Sequence, residues 1–212
     1  MKEYLILLFL LFSTQDKIDT SKMYMIYFTR TGNTEIFANY IKEKININSF
    51  RINPVTPYTD NLTEMLEYAR VERSNNMRPE INGTLPDISK YDTIFLGYPL
   101  WHSYLPNIMI NLLEKMDFNG KTIYPFNTYG TKGVGESLSD IKTYAKGATI
   151  KDGFAISDSE IKIKENSQKK IDSWYNDNFN NTINEEPIDE NEIGNILNFR
   201  SYFLCIIFIL LA

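Results

Sequence analysis

Strand-like and helix-like segments alternate through the middle of the chain, and this alternation limits the possible folds more than any other feature. Residues 92–98, DTIFLGY, are nearly all apolar, as expected of a parallel strand buried on both faces. The order predicts one α/β domain, a doubly wound five-stranded parallel sheet in a three-layer αβα arrangement. The predicted strands are residues 23–28, 50–52, 92–98, 121–126 and 148–150 with 153–156, and the predicted helices are residues 33–44, 62–76, 106–116, 136–146 and 166–178.

Charge and composition exclude several classes of protein. The 212 residues are 43% hydrophobic, which suits one domain with a real core plus appendages. The formal net charge is −5, but residues 1–184 carry 21 basic and 22 acidic side chains, so this part of the chain has no basic excess for nucleic-acid binding. A single cysteine, Cys205, excludes an intramolecular disulfide, and a single histidine, His102, argues against a histidine-rich zinc site.

Both ends of the chain carry apolar segments. The N-terminal one follows Lys2 and predicts a signal peptide over residues 1–15, the alternatives being a β-strand or a misassigned start codon. Residues 181–195 form an acidic linker, and residues 196–212 form a hydrophobic C-terminal tail. The tail is too short for an ordinary membrane-spanning helix, which leaves a GPI-attachment signal, a short tail anchor or an interfacial helix. We therefore expect a membrane-attached protein of the secretory pathway, or a cytoplasmic protein if the signal is not used.

Three segments that follow predicted strands contain residues typical of binding sites. The first loop, residues 29–34, has the sequence TRTGNT and opens a helix. The start of a helix leaves backbone N–H groups without partners, so this loop suits either a phosphate or a simple helix cap formed by Asn33 or Thr34. The second loop, residues 98–106, is aromatic, and the third loop, residues 127–136, is rich in glycine. Because parallel strands end at one edge of the sheet, we expect the three loops to form one site.

The motifs YFTRTGNT, GYPLW and TYGTKGVG follow one another along the chain. In this order they resemble the flavodoxin-like superfamily, in particular its stand-alone flavodoxin domains, and we place that domain at residues 21–180. The resemblance implies the strand order 2-1-3-4-5 and flavin mononucleotide (FMN) as the cofactor. It also implies a phosphate site in the first loop, made by Thr29, Thr31, Gly32, Asn33 and Thr34, with Arg30 at a position that is basic in relatives.

The same resemblance assigns the other two loops to the flavin ring. Pro99, Leu100 and Trp101 would flank the isoalloxazine, with Trp101 stacked on it. His102 stands where relatives often have a second tryptophan, and it would hydrogen-bond the flavin or a substrate or lie at the loop rim. Tyr129 and Thr131 are larger than the residues that relatives favour. Backbone N–H groups would reach the ring edge from Thr128, Tyr129, Gly130, Gly133 and Gly135.

These motifs leave three functions open. The protein is an FMN-binding redox protein that passes electrons to a partner protein or a small-molecule acceptor, or an NAD(P)H-dependent reductase of quinones or other small molecules, or an FMN-free binding protein on the same fold. Because residues 1–184 are nearly neutral, they provide little long-range electrostatic attraction toward a charged partner protein. The sequence also shows no nicotinamide-binding fingerprint, and it assigns no catalytic acid or base.

Overall fold

The computed structural model describes residues 19–131 and 133–179. The predicted signal peptide at residues 1–15, the acidic linker at residues 181–195 and the tail at residues 196–212 lie outside the described residues and stay predictions. Within the described ranges, no helix combines the length and the apolar character needed to cross a membrane.

In these two ranges, six parallel strands form one sheet, and its order is β2-β1-β3-β4 followed by an edge position that β5 and β6 share. This arrangement confirms the predicted five-position sheet with order 2-1-3-4-5. The central strands are continuous apolar runs, as burial on both faces requires. The strands are β1 (Met23–Phe28), β2 (Asn48–Ile52), β3 (Thr93–Pro99), β4 (Thr122–Tyr129), β5 (Thr149–Ile150) and β6 (Phe154–Ser157).

The edge position is divided in two because β4 contains a proline. Ile123 pairs with Ile150 and Phe126 pairs with Phe154, so two residues of β4 lie opposite three residues of the edge. Pro125 lies inside this gap and has no N–H group to donate to a neighbouring strand. The prediction of one last strand is therefore wrong, because the strand is interrupted, but its predicted position at the edge of the sheet is correct.

The described residues form five α-helices, which lie on the two faces of the sheet. The helices are α1 (Asn33–Ile45), α2 (Leu62–Ser74), α3 (Asn107–Lys115), α4 (Ser137–Tyr144) and α5 (Lys164–Phe179). Helix α1 and residues 164–174 of α5 cover one face, where Phe37 of α1 contacts Phe126 and Trp174. Helices α2, α3 and α4 cover the other face, which packs against Ile26 and Leu96 of the central strands. The three-layer αβα arrangement is confirmed.

The chain divides into two units after Trp174. The first unit contains the whole sheet and the loops at its carboxyl edge. The described part of the second unit is the last turn of α5, in which the rings of Tyr175 and Phe179 stack with centroids 4.9 Å apart.

Candidate cofactor site

A cavity of about 510 Å³ lies at the carboxyl edge of the sheet, where β1, β3 and β4 end. This volume falls within the usual range of ligand pockets. The three loops form most of its wall, and the start of α2 closes one side. The lining residues are Thr29, Arg30, Thr31, Thr34, Leu62, Met65, Leu66, Pro99, Leu100, Trp101, His102, Ser103, Thr128, Tyr129, Gly130, Thr131 and Asp158.

The first loop ends in a helix start without a side-chain cap. Gly32 occupies the N-cap position with a φ of 88°, so no cap side chain accepts from the first helical N–H groups. The N–H of Gly32 itself donates to the hydroxyl oxygen of Thr29, 3.0 Å away. Asn33 and Thr34 are already helical, so the predicted cap by either residue is wrong. The first helical bond runs from the N–H of Ile36 to the carbonyl of Gly32, 3.1 Å away. The preceding N–H groups have no partner within the helix, and together with the helix dipole they favour an anion.

Arg30 fixes the first loop to the segment that precedes α2. Its Nη1 donates to the carbonyl oxygens of Thr59 and Asp60, at 3.1 and 3.2 Å. The side chain is half-buried and lines the cavity. In the described part of the chain, the cavity wall contains one guanidinium, that of Arg30, and one carboxylate, that of Asp158.

Thr128 joins all three loops at their base. Its hydroxyl lies 3.0 Å from the hydroxyl of Thr34, and both side chains are buried. Its carbonyl accepts a hydrogen bond of 2.8 Å from the N–H of Leu100 in the second loop. Strand β4 runs through Tyr129, so the predicted start of the third loop at Asn127 is wrong by three residues.

The second loop contains a two-residue hairpin. Trp101 and Tyr104 exchange two backbone hydrogen bonds, of 3.2 and 2.8 Å. The intervening His102 and Ser103 have φ angles of 48° and 72°, which is the pattern of a type I′ turn. Neither residue is a glycine or an asparagine, so this turn stores backbone strain at the cavity wall.

His102 links the hairpin to α2. Its Nε2 lies 2.8 Å from the carbonyl oxygen of Leu66, and because a carbonyl only accepts, Nε2 is the protonated nitrogen. The rest of the side chain is exposed at the cavity rim.

Trp101 packs edge-on against two other aromatic rings. It is 5% exposed, and its ring centroid lies 5.5 Å from that of Phe28 and 4.8 Å from that of Tyr58. The interplanar angles are 85° and 76°, so both contacts are T-shaped. Trp101 thus belongs to the hydrophobic core and to the cavity wall together.

The second and third loops meet at Gly135. Its φ is 52°, and a Cβ atom there would lie 2.3 Å from the carbonyl oxygen of Ser103. The same oxygen accepts a hydrogen bond of 2.7 Å from the N–H of Glu136. Only glycine permits this close approach between the two backbones.

Residues 22–178 match a family model described as Flavodoxin. The chain belongs to the flavodoxin family. None of the curated proteins matches its sequence.

Several solved structures resemble this flavodoxin-family chain. A candidate flavoprotein from Bacteroides uniformis is 27% identical with a TM-score of 0.63, over 72% of this chain and 96% of the other. A second, from Bacteroides eggerthii, is 27% identical with a TM-score of 0.58, over 70% and 98%. A Lactobacillus acidophilus flavoprotein in complex with FMN is 21% identical with a TM-score of 0.57, over 69% and 98%, and shows the same fold.

The structure brings most of the predicted site residues of this flavodoxin-family chain to one cavity. The residues on its wall are Thr29, Arg30, Thr31, Thr34, Pro99, Leu100, Trp101, His102, Thr128, Tyr129 and Gly130. Four predicted residues, Gly32, Asn33, Gly133 and Gly135, do not line it. Gly32 and Asn33 belong to the uncapped helix start, and Gly133 accepts a 3.2 Å hydrogen bond from Asn127.

Six residues of the cavity wall were not among the assigned site residues. Leu62, Met65 and Leu66 come from α2, where the sequence showed only an apolar helix face. Ser103 and Thr131 belong to the second and third loops, and Asp158 directly follows β6. The rule that placed the three loops at the carboxyl edge also applies to β6, so it could have identified Asp158.

Proposed function

We propose that this protein binds FMN in the cavity and transfers electrons through it. One observation carries the proposal. Thr31 and Thr34, which flank the uncapped start of α1, lie on the same cavity of about 510 Å³ as the aromatic wall at Trp101. A phosphate and a planar ring joined by a short chain would use both features at once.

The chemistry of the wall fits each part of FMN. The free N–H groups at the start of α1 and the hydroxyls of Thr29 and Thr31 suit a phosphate dianion. The side chains of Leu62, Leu66 and Trp101 offer apolar surface to a ring system. The open backbone at Gly130 leaves room for a ring edge that accepts hydrogen bonds.

Bound FMN supplies reversible transfer of one or two electrons, which no side chain of this chain provides. The residues of the site bind and orient the flavin and limit its contact with water. Membership of the flavodoxin family supports electron transfer as the activity. The recipient is a partner protein or a small-molecule acceptor.

The full-length protein is expected to purify with the visible absorption of oxidised flavin, or to acquire it when FMN is added. We expect a Kd of about 1 µM or tighter for FMN. Riboflavin lacks the phosphate and is the matched control ligand, so it is expected to bind at least about tenfold more weakly. A protein that stays colourless with excess FMN would exclude both redox functions and leave the FMN-free binding protein.

A second measurement separates the two redox functions. An electron carrier accepts electrons from a flavoprotein reductase and does not consume NAD(P)H alone. Oxidation of NAD(P)H in the presence of a quinone would instead support the small-molecule reductase.

Trp101→Ala is expected to restore the fluorescence of bound FMN and to weaken its binding by about tenfold, because one aromatic wall of the cavity is lost. The variant Trp174→Phe is the matched control, since Trp174 packs against Phe37 and Phe154 and does not line the cavity. Steady-state fluorescence titrations measure both quantities. Equal quenching in the two variants would mean that Trp101 does not contact the flavin.

A further inference from the structure

Glu72 is a buried carboxyl group close to the aromatic wall of the cavity. It is 1% exposed and lies on the same face of α2 as Met65 and Ala69. Its Oε2 accepts a hydrogen bond of 3.3 Å from the hydroxyl of Tyr58. Its Oε1 has no hydrogen-bond partner in the described part of the chain. A buried carboxylate with one oxygen unpaired is costly, which favours the neutral, protonated form.

Tyr58 connects this carboxyl to the cavity. Its hydroxyl bonds to Glu72, and its ring packs on Trp101 with centroids 4.8 Å apart. The Tyr58 ring also contacts Phe28 at 5.8 Å, and Phe28 contacts Trp101 at 5.5 Å, so the three rings pack on one another. A change at Glu72 therefore reaches the cavity wall through one side chain.

A second cavity of about 200 Å³ lies beside Glu72. Trp101 and His102 line both this cavity and the larger one. The volume is sufficient for a few water molecules. It gives an ionised Glu72 a space into which the carboxylate can turn or water can enter.

Burial raises the pKa of Glu72 from 4.5 to about 7, and the hydrogen bond from Tyr58 partly opposes this change. Because the folded-state pKa lies above the unfolded value, the folded protein holds the proton more tightly. The protonated state is present at pH 6 and is lost as the pH rises through about 7. The stability that this group contributes is fully present below about pH 4.5 and falls as the pH rises from there to about 7.

We propose that Glu72 is a positioning residue for Trp101. While its carboxyl is protonated, Tyr58 stays packed against the Trp101 ring. The ionised carboxylate keeps and strengthens the hydrogen bond from Tyr58, turns toward the second cavity with it, and so loosens this wall and weakens flavin binding. The effect on flavin binding rests on the proposed function, whereas the effect on Tyr58 and Trp101 concerns the protein without flavin.

The other titratable groups near Glu72 have their own partners. Arg70 pairs with Glu67, and Arg73 makes two hydrogen bonds with Asp140 of α4, at 2.8 and 3.0 Å. The guanidinium of Arg73 also lies over the ring of Tyr104, the last residue of the hairpin. His102 lines both cavities, so the experiment must separate its contribution from that of Glu72.

The first test uses the full chain without flavin. The protein has two tryptophans, and Trp174→Phe assigns their indole N–H signals in a ¹H–¹⁵N spectrum. The Trp101 signal is expected to shift with pH around a midpoint of about 7 and to stay constant in Glu72→Gln. In Tyr58→Phe the midpoint is expected to rise, because the hydrogen bond that lowers the pKa of Glu72 is lost.

The second test measures the Kd for FMN at pH 6 and pH 8. Ionisation of the FMN phosphate affects every variant alike, so the ratio of the wild-type Kd to that of Glu72→Gln isolates Glu72. This ratio is expected to be near one at pH 6 and to reach about threefold at pH 8. The matched control is His102→Asn, because asparagine tolerates the left-handed backbone conformation at this position. The Kd of this variant for FMN is expected to depend on pH as the wild-type Kd does.

The outcomes separate this inference from the proposed function. A Trp101 signal that does not titrate, or one whose titration persists in Glu72→Gln or disappears in His102→Asn, overturns the positioning role even if FMN binds. A constant Kd ratio overturns the coupling to flavin binding. A protein that shows the indole titration but binds no FMN keeps the role of Glu72 and refutes the proposed function.

Discussion

Gly97→Ala is expected to lower the free energy of unfolding by about 3 kcal/mol, because one added methyl group meets a ring that cannot move away. A Cβ atom at Gly97 would lie 2.2 Å from Cζ and 2.4 Å from Cε2 of Phe126. The two residues are register partners on β3 and β4, and the Phe126 ring lies across the space that Gly97 leaves open. Urea denaturation of the full-length protein measures the change.

Phe126 has little freedom to yield to the added methyl group. It is fully buried, and its ring stacks on Phe37 of α1 with centroids 4.1 Å apart and planes 16° apart. A shift of Phe126 would therefore displace α1, whose first turn is part of the cavity wall. Because protein interiors are closely packed, steric strain at Phe126 is transmitted to the side chains that contact it.

Gly130→Ala is the matched control, since a Cβ atom at Gly130 would meet no atom within 4 Å. Its effect on stability is expected to stay within about 0.5 kcal/mol. If Gly97→Ala is equally mild, the Phe126 ring does not occupy the space above Gly97 in solution.

Gly97 also illustrates what the sequence could and could not predict. A glycine inside an apolar strand indicates a bulge or a close approach by another group, and the strand itself was evident from its composition. The identity of Phe126 as the approaching group was not evident, because it depends on the register between β3 and β4. That register is set by contacts between residues far apart in the chain.

The fold, and the position of the three loops at one edge of the sheet, could be predicted from local sequence patterns. Apolar strand-like runs alternate along the chain with segments of helical periodicity, and few folds other than a doubly wound sheet accommodate this order. The parallel strands of such a sheet bring the loops that follow them to one edge. The hairpin at His102 and Ser103 had no such signal, because two-residue turns of this type usually carry glycine or asparagine. Tertiary contacts, such as the bond from His102 to Leu66, stabilise it instead.

Glu72 carried a signal that the sequence analysis did not use. It lies seven residues after Met65 and three after Ala69, which places all three on one helix face. A carboxyl at that spacing on an apolar face is either paired or titrates unusually. The pairing partner, Tyr58, lies in an irregular segment whose path the sequence did not indicate.

Gly135→Ala is expected to weaken FMN binding by about tenfold, equivalent to about 1.4 kcal/mol, while the protein still folds. The added Cβ atom would lie 2.3 Å from the carbonyl oxygen and 2.9 Å from the Cα atom of Ser103. Both atoms belong to the backbone of the hairpin, so the second and third loops must move apart. Trp101 and His102 belong to the same hairpin, and their part of the cavity wall moves with it.

The substitution also places alanine at a φ of 52°, which has a cost of its own. The matched control Gly83→Ala separates the two effects, because Gly83 has a φ of 87°, does not line the cavity and would meet no atom within 4 Å. A left-handed alanine costs about 1–2 kcal/mol of stability, so Gly83→Ala is expected to lose that amount and to bind FMN as tightly as the wild type.

Isothermal titration with FMN, together with urea denaturation, measures both quantities in the two variants. A loss of affinity in Gly135→Ala alone would show that the contact between the second and third loops holds the cavity wall in its binding position. Equal affinity in both variants would show that this contact supports only the fold. In that case the flavin would depend on the first loop and on the remaining wall residues, whose positions Gly135 does not control.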